Sequence, residues 1–204
     1  MRALGRAVGL FLVFGVAGYA IWGYAFMPVG SLVHPAMKPG FVPQAAGIYV
    51  HVFASVLALA LGPFQFSSRL RAKRPALHRW TGRLYLGVGV LVGGLAALYL
   101  APFAFGGPVA RLGFGTLAAA WLYTGARAYV SIRRGAVTEH RRWMVRNYAL
   151  TLAAVTLRLY IPLSVLAGIE FAAAYAVIAW LCWVPNLAVA EWRSRSPGRE
   201  VAPA

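Results

Sequence analysis

The chain has 204 residues, 61% of them hydrophobic and only 12% charged, with a mean hydropathy of +0.68. A soluble domain of this length is nearer half apolar and a quarter charged, so most of this surface cannot face water and its solvent is lipid. Twenty Lys and Arg against four Asp and Glu give a formal charge of +16, but the charges lie between apolar blocks and no nucleic-acid motif accompanies them, which argues against nucleic acid as a partner.

Six apolar blocks predict six transmembrane helices near 7–27, 46–66, 84–102, 109–131, 147–166 and 170–191. Each approaches the roughly 20 residues that cross about 30 Å of hydrocarbon. The first follows Arg2 and Arg6, carries Tyr19, Trp22 and Tyr24, and has no small-x-small cleavage site. It is too long for the apolar region of a signal peptide and reads as a retained anchor. The second places His51, Ser55, Gly62 and Gln65 on one helical stripe. That stripe must face the bundle interior, because polar groups in hydrocarbon need partners. The third contains Gly89-xxx-Gly93, a spacing that lets helix backbones meet. The fourth holds Arg127, and the fifth repeats the polar stripe as Asn147, Thr151, Ala154 and Arg158. Glu170 opens the sixth as a candidate counter-ion for Arg158. The lone Cys182 lies within that block, so no intrachain disulfide forms. Pro63, Pro162 and Pro185 are expected to kink their spans. Residues 1–192 form one domain, and 193–204 form a short polar tail.

Orientation follows from the basic residues. Arg2 and Arg6, six residues between spans two and three, five between spans four and five, and three after span six place sixteen Lys and Arg on one side. Only Lys38 and Arg111 fall on the other. The positive-inside rule then predicts both termini in the cytoplasm and a multi-pass protein of the inner, cytoplasmic membrane. Anionic lipid headgroups would meet the basic loops, and Trp80, Trp143 and Trp192 would form the cytoplasmic aromatic belt.

Two constellations carry chemistry. With a rise of 1.5 Å per residue, His51 lies about 8 Å and Arg158 about 12 Å inside the outer ends of their spans. They are therefore expected to line one cavity. An intramembrane Arg is costly to insert and is seldom retained for packing alone. The second constellation is a weak repeat: ALHRWTGRLY (76–85) leads into span three and EHRRWMVRNY (139–148) into span five. His78 and His140 stand at these entrances, beside Arg79 and Arg141. Paired imidazoles from two helices suit the axial positions of a b-type haem, and neighbouring Arg would bind its propionates. Interfacial hydrogen bonding of both His to headgroups or loop carbonyls is the alternative. No GxSxG, HExxH or P-loop is present, and the chain has no Asp, which argues against hydrolytic and carboxylate-metal chemistry.

Three segments, GPFQFSSRLRAKRPALHRWTGRLY (62–85), HRRWMVRNYALTLAAVTLRLY (140–160) and AWLCWVPNL (179–187), together resemble the bacterial membrane-protein family called domain of unknown function 2306. The resemblance runs from about His51 to Trp192 and implies a multi-helix membrane protein without an assigned activity. Leu77, His78, Trp80 and Gly82 are also similar to the Leu-His-Ser-Trp-x-Gly pattern at the third span of six-helix b-type cytochromes. Two-haem members place four His within their helices, whereas only His51 is clearly intramembrane here, so that similarity implies a single haem.

The expected fold is thus an all-α bundle of six transmembrane helices. The expected activity is haem-b or quinone-linked electron transfer, with His78 and His140 as axial ligands and His51 and Arg158 shaping an outer site; a quinone or redox partner is expected with it. The alternatives are a small-molecule transporter or binding protein centred on His51, Arg158 and Gln65, and a structural partner subunit.

Overall fold

A computed structural model describes residues 2–195, and over these the chain is helical with no strand. Helix α1 is Arg2–Phe26. Three short turns, Pro35–Met37, Lys38–Phe41 and Val42–Gln44, lead into α2, Ala45–Gln65. A short helix, Ser68–Lys73, is capped by the Ser67 hydroxyl, which accepts from Leu70 N at 3.1 Å. Helix α3, Pro75–Leu84, passes directly into a π-helical stretch, Tyr85–Val92, and then into α4, Gly93–Leu100. Gly106 at φ +91° permits the turn that starts α5, Gly107–Arg133. Helices α6, Val137–Thr151, and α7, Ala153–Leu166, form one bent rod. Helix α8, Phe171–Leu181, is followed by α9, Val184–Arg195.

Among the described residues five segments are long and apolar enough to cross a membrane: Ala3–Phe26, Pro35–Gln65, Pro75–Phe103, Val137–Leu166 and Phe171–Ser194. The fourth predicted span corresponds to α5, an unbroken helix of 27 residues and about 40 Å, but it is not among the five. Its Gly, Thr, Tyr and Arg residues dilute its apolar content because α5 is the packing hub of the bundle. It lies against α4, α6 and α8 and buries Trp121, Thr124 and Ala128.

The rods at residues 75–103 and 137–166 begin about ten residues before the apolar blocks that announced them. Charged residues end a hydropathy block without ending a helix, since Arg side chains can extend to the interface while their backbone stays helical. The repeat entrances are accordingly helical, and they share a device. Arg83 stacks over Trp80 at 4.9 Å and Arg146 over Trp143 at 4.7 Å, each pair three residues apart on one helix face.

The expected kink at Pro185 is instead a break. Helix α8 ends at Leu181, and Pro185 stands in the first turn of α9, where its missing N–H breaks no helical bond. Asn186 Nδ2 donates to the freed Cys182 carbonyl at 3.0 Å and to Thr156 Oγ1 at 2.8 Å, tying this break to α7. Of the polar tail, residues 193–195 continue α9, and 196–204 lie outside the described residues.

Large apolar side chains point outward, Phe11 being 75% and Leu166 84% exposed, while Ala58, Ala110, Ala128 and Ala179 fill the interior. That inversion suits a lipid-facing surface around close-packed helices. The Gly89-xxx-Gly93 face meets Ala58 and Ala54 of α2, and a Cβ on Gly89 would lie 2.8 Å from Ala58 Cβ and 3.1 Å from its backbone. Gly89→Val is therefore expected to destabilise the fold by about 1–3 kcal/mol, as overpacking of tight cores does. Detergent-solubilised thermal unfolding measures it, and an unchanged melting temperature would mean that this contact is loose.

Candidate functional site

A cavity of about 860 Å³ lies among α1, α2, α4, α5, α6, α7 and α8. Its polar lining includes His51 and Ser55 of α2, Trp121 of α5, Thr151 of α6, Arg158 of α7 and Tyr175 of α8. His34, Met37, Phe41 and Gln44, from the segment joining α1 to α2, line it as well. The volume falls within the roughly 300–1,000 Å³ typical of small-molecule sites.

Helix approach orients His51. Because Gly93 lacks a side chain, α4 comes close to α2, and His51 Nδ1 lies 2.9 Å from the Gly93 carbonyl. A carbonyl only accepts, so Nδ1 carries the proton and Nε2 of the neutral ring is left with a lone pair. Ser55 Oγ lies 3.4 Å from the same Nδ1. No protein group hydrogen-bonds Nε2 among the described residues.

Arg158 lines the same cavity and donates once, from Nη1 to the Ala154 carbonyl one turn back at 2.9 Å. Tyr19 and Tyr24 of α1 and Tyr175 of α8 stand close enough to interact with its charge. The expected counter-ion is engaged elsewhere. Glu170 caps α8, its two oxygens each accepting at 2.8 Å from Ala172 N and Ala173 N. Those backbone donors hold its carboxyl below the usual carboxylate range. Glu139 pairs with Arg127 at 3.0 Å, and Glu191 pairs with Arg146. Among the described residues no carboxylate lines the cavity.

Beneath it lies a buried polar network that composition did not announce. Tyr85 OH donates to Asn147 Oδ1 at 2.7 Å and lies 3.1 Å from Thr151 Oγ1. Trp121 Nε1 donates to Thr151 Oγ1 at 2.9 Å. Asn147 Nδ2 donates to the Trp121 carbonyl at 2.8 Å and to Thr124 Oγ1 at 2.9 Å. Asn147 and Thr151 were legible as a stripe. Tyr85, Trp121 and Thr124 were not, although a Thr three residues after a Trp inside an apolar span was the available signal.

The other sequence candidates sit apart from the cavity. Gln65 lines no part of it and donates to Thr81 Oγ1 at 2.9 Å, bridging α2 to α3. Gly62 receives the ring of Tyr148, whose hydroxyl donates to the Leu59 carbonyl at 3.3 Å. His140 Nδ1 is 2.8 Å from the carbonyl of buried Ala128, which leaves its Nε2 as an acceptor. His78 Nδ1 is buried without a hydrogen-bond partner among the described residues. His78 lies near enough to His140, Arg71 and Arg79 for their charges to interact, and Arg71 is similarly close to Arg141. The two imidazoles thus share one end of the bundle, outside the large cavity.

Compared with known families, residues 48–193 match the sequence model of one described as predicted membrane protein (DUF2306). No curated protein and no solved structure matches the chain.

Proposed function

The chain belongs to the predicted membrane protein family DUF2306, and from that premise we propose that it is a membrane-embedded binding or transport protein for a small amphiphile held in the cavity of His51 and Arg158. The observation that carries this reading is the cavity itself: about 860 Å³, largely apolar, with Arg158 and His51 among its lining residues. Breaks in both lining rods, after Thr151 and around Cys182, support it. Irregular backbone at membrane depth is tolerated where it lines a cavity and marks binding sites in transporters.

The test is titration of the purified protein in lipid nanodiscs with a neutral, dansyl-labelled acyl amide, read by energy transfer from tryptophan. We expect saturable binding to the wild type, weakened at least tenfold in Ala97→Trp, which places an indole in the cavity wall. Non-saturable partitioning, identical in both proteins, would defeat the reading.

In the same proposal α5 is a sixth span and both termini face the cytoplasm of the inner membrane. Support comes from the length of α5, its short connection to α6 and the sixteen-to-two distribution of basic residues. Reporter fusions after Ala36 and Gly107 should report the outer side, and fusions after Arg74 and Gly135 the cytoplasm. A cytoplasmic signal at Gly107 would remove α5 from the set of spans.

The buried, unpartnered Nδ1 of His78 beside His140 favours a second reading, a haem b for electron transfer. The donor set fits: each imidazole has a nitrogen free to ligate, and Arg79 and Arg141 lie on the same helices as the two His. Bound there, haem would supply one-electron transfer, while the protein would fix the two rings and neutralise the propionates. Protein from haem-replete cells would then show sharp, dithionite-sensitive bands that His78→Ala abolishes. A colourless preparation overturns this reading and leaves the cavity proposal standing.

A further inference from the structure

Resting on the cavity reading above, we infer that the ligand is an acid: an amphiphile whose single carboxylate is neutralised by Arg158. The guanidinium has five N–H donors, and one is used by the Ala154 carbonyl. The others have no protein acceptor among the described residues and belong to a side chain that lines the cavity. Every described carboxylate is committed elsewhere, Glu139 to Arg127, Glu191 to Arg146, and Glu170 to the start of α8. Of the chain's four acidic residues the fourth, Glu200, lies outside the described residues. A cation in an apolar cavity without an internal counter-ion leaves that charge to be met by whatever enters.

The fork of donors suits a planar carboxylate, which can bind two of them in parallel. His51 adds no second positive charge in its Nδ1–H form and instead presents Nε2 as an acceptor. One fixed cation and one acceptor select a monoanion over a dianion. The remaining lining, including Ile48, Leu59, Leu100, Phe114 and Leu157, is apolar and fits an acyl or aryl body.

Wild-type protein in nanodiscs distinguishes the possibilities without any variant, by comparing dansyl-undecanoic acid with its methyl ester. The inference predicts that the acid binds at least tenfold more tightly. It also predicts that Arg158→Met removes the preference for acid over ester, and that Arg158→Lys keeps part of it. Equal affinity of wild type for acid and ester overturns the acid assignment and leaves the cavity reading intact. Saturable binding of neither overturns both. A long-chain acid supplied in the nanodisc lipid and 2-naphthoate supplied in buffer then separate the sources. Displacement of the probe by the first assigns a membrane-borne acid, and by the second a water-borne one. Displacement by neither overturns the inference.

Discussion

Arg158→Met is expected to raise the melting temperature of the ligand-free protein while removing its affinity for acids. Burying an ion costs several kcal/mol, and the cost is recovered only with a partner. Among the described residues Arg158 has one backbone carbonyl and no carboxylate as partner. Its cavity is not sealed, so hydration offsets part of that cost, and the gain should be about 1–3 kcal/mol. For a chain of this size that corresponds to roughly 2–10 °C. Met has a similar apolar stem, so the volume filled by the Arg158 stem is retained. The measurement is thermal unfolding in the same nanodiscs with and without ligand, because ligand binding should stabilise only the wild type. A fall of several degrees in the ligand-free variant would make Arg158 a structural strut and remove the reason for assigning it a ligand.

Asn147→Leu should have the largest opposite effect. Asn147 is fully buried where the π-helical stretch Tyr85–Val92, α5 and α6 converge, and its amide serves three partners at once. A similarly sized apolar side chain leaves Thr124 Oγ1 and the Trp121 carbonyl without that donor, and leaves Tyr85 OH only Thr151. Buried polar groups left unsatisfied cost about 1–3 kcal/mol each, although interhelical bonds in membranes average about 0.6 kcal/mol. The expected loss is about 2–4 kcal/mol, accompanied by a shift in Trp121 emission as its Thr151 contact relaxes. Tyr85→Phe should cost less, about 1 kcal/mol, because only one donor is removed. An Asn147→Leu protein within half a kcal/mol of wild type would show that the network forms without holding the helices together.

These two residues also show how far the chain could be read before folding. Both lie on the stripe Asn147, Thr151, Ala154, Arg158, which helical periodicity turned inward because lipid cannot satisfy polar groups. The same physics fixed the all-helical class and the Gly89 contact, since only helices satisfy their own backbone in hydrocarbon and only small residues let them touch. The family, too, was legible in three motifs, and the match over residues 48–193 agrees with them.

What the one-dimensional pattern left open depended on neighbours. Gln65 shares a stripe with His51 yet reaches Thr81 instead of the cavity, because nearly four turns carry it to the far end of α2. Glu170 was near enough in sequence to be considered for Arg158, but the free N–H groups of its own helix capture it first. The proton on His51 Nδ1 is set by the Gly93 carbonyl, 42 residues away. Periodicity determined which faces turn inward, because burial is a property of a helix and its solvent. Only the packed bundle determined which inward groups meet, because a hydrogen bond forms between particular atoms that distant segments bring together.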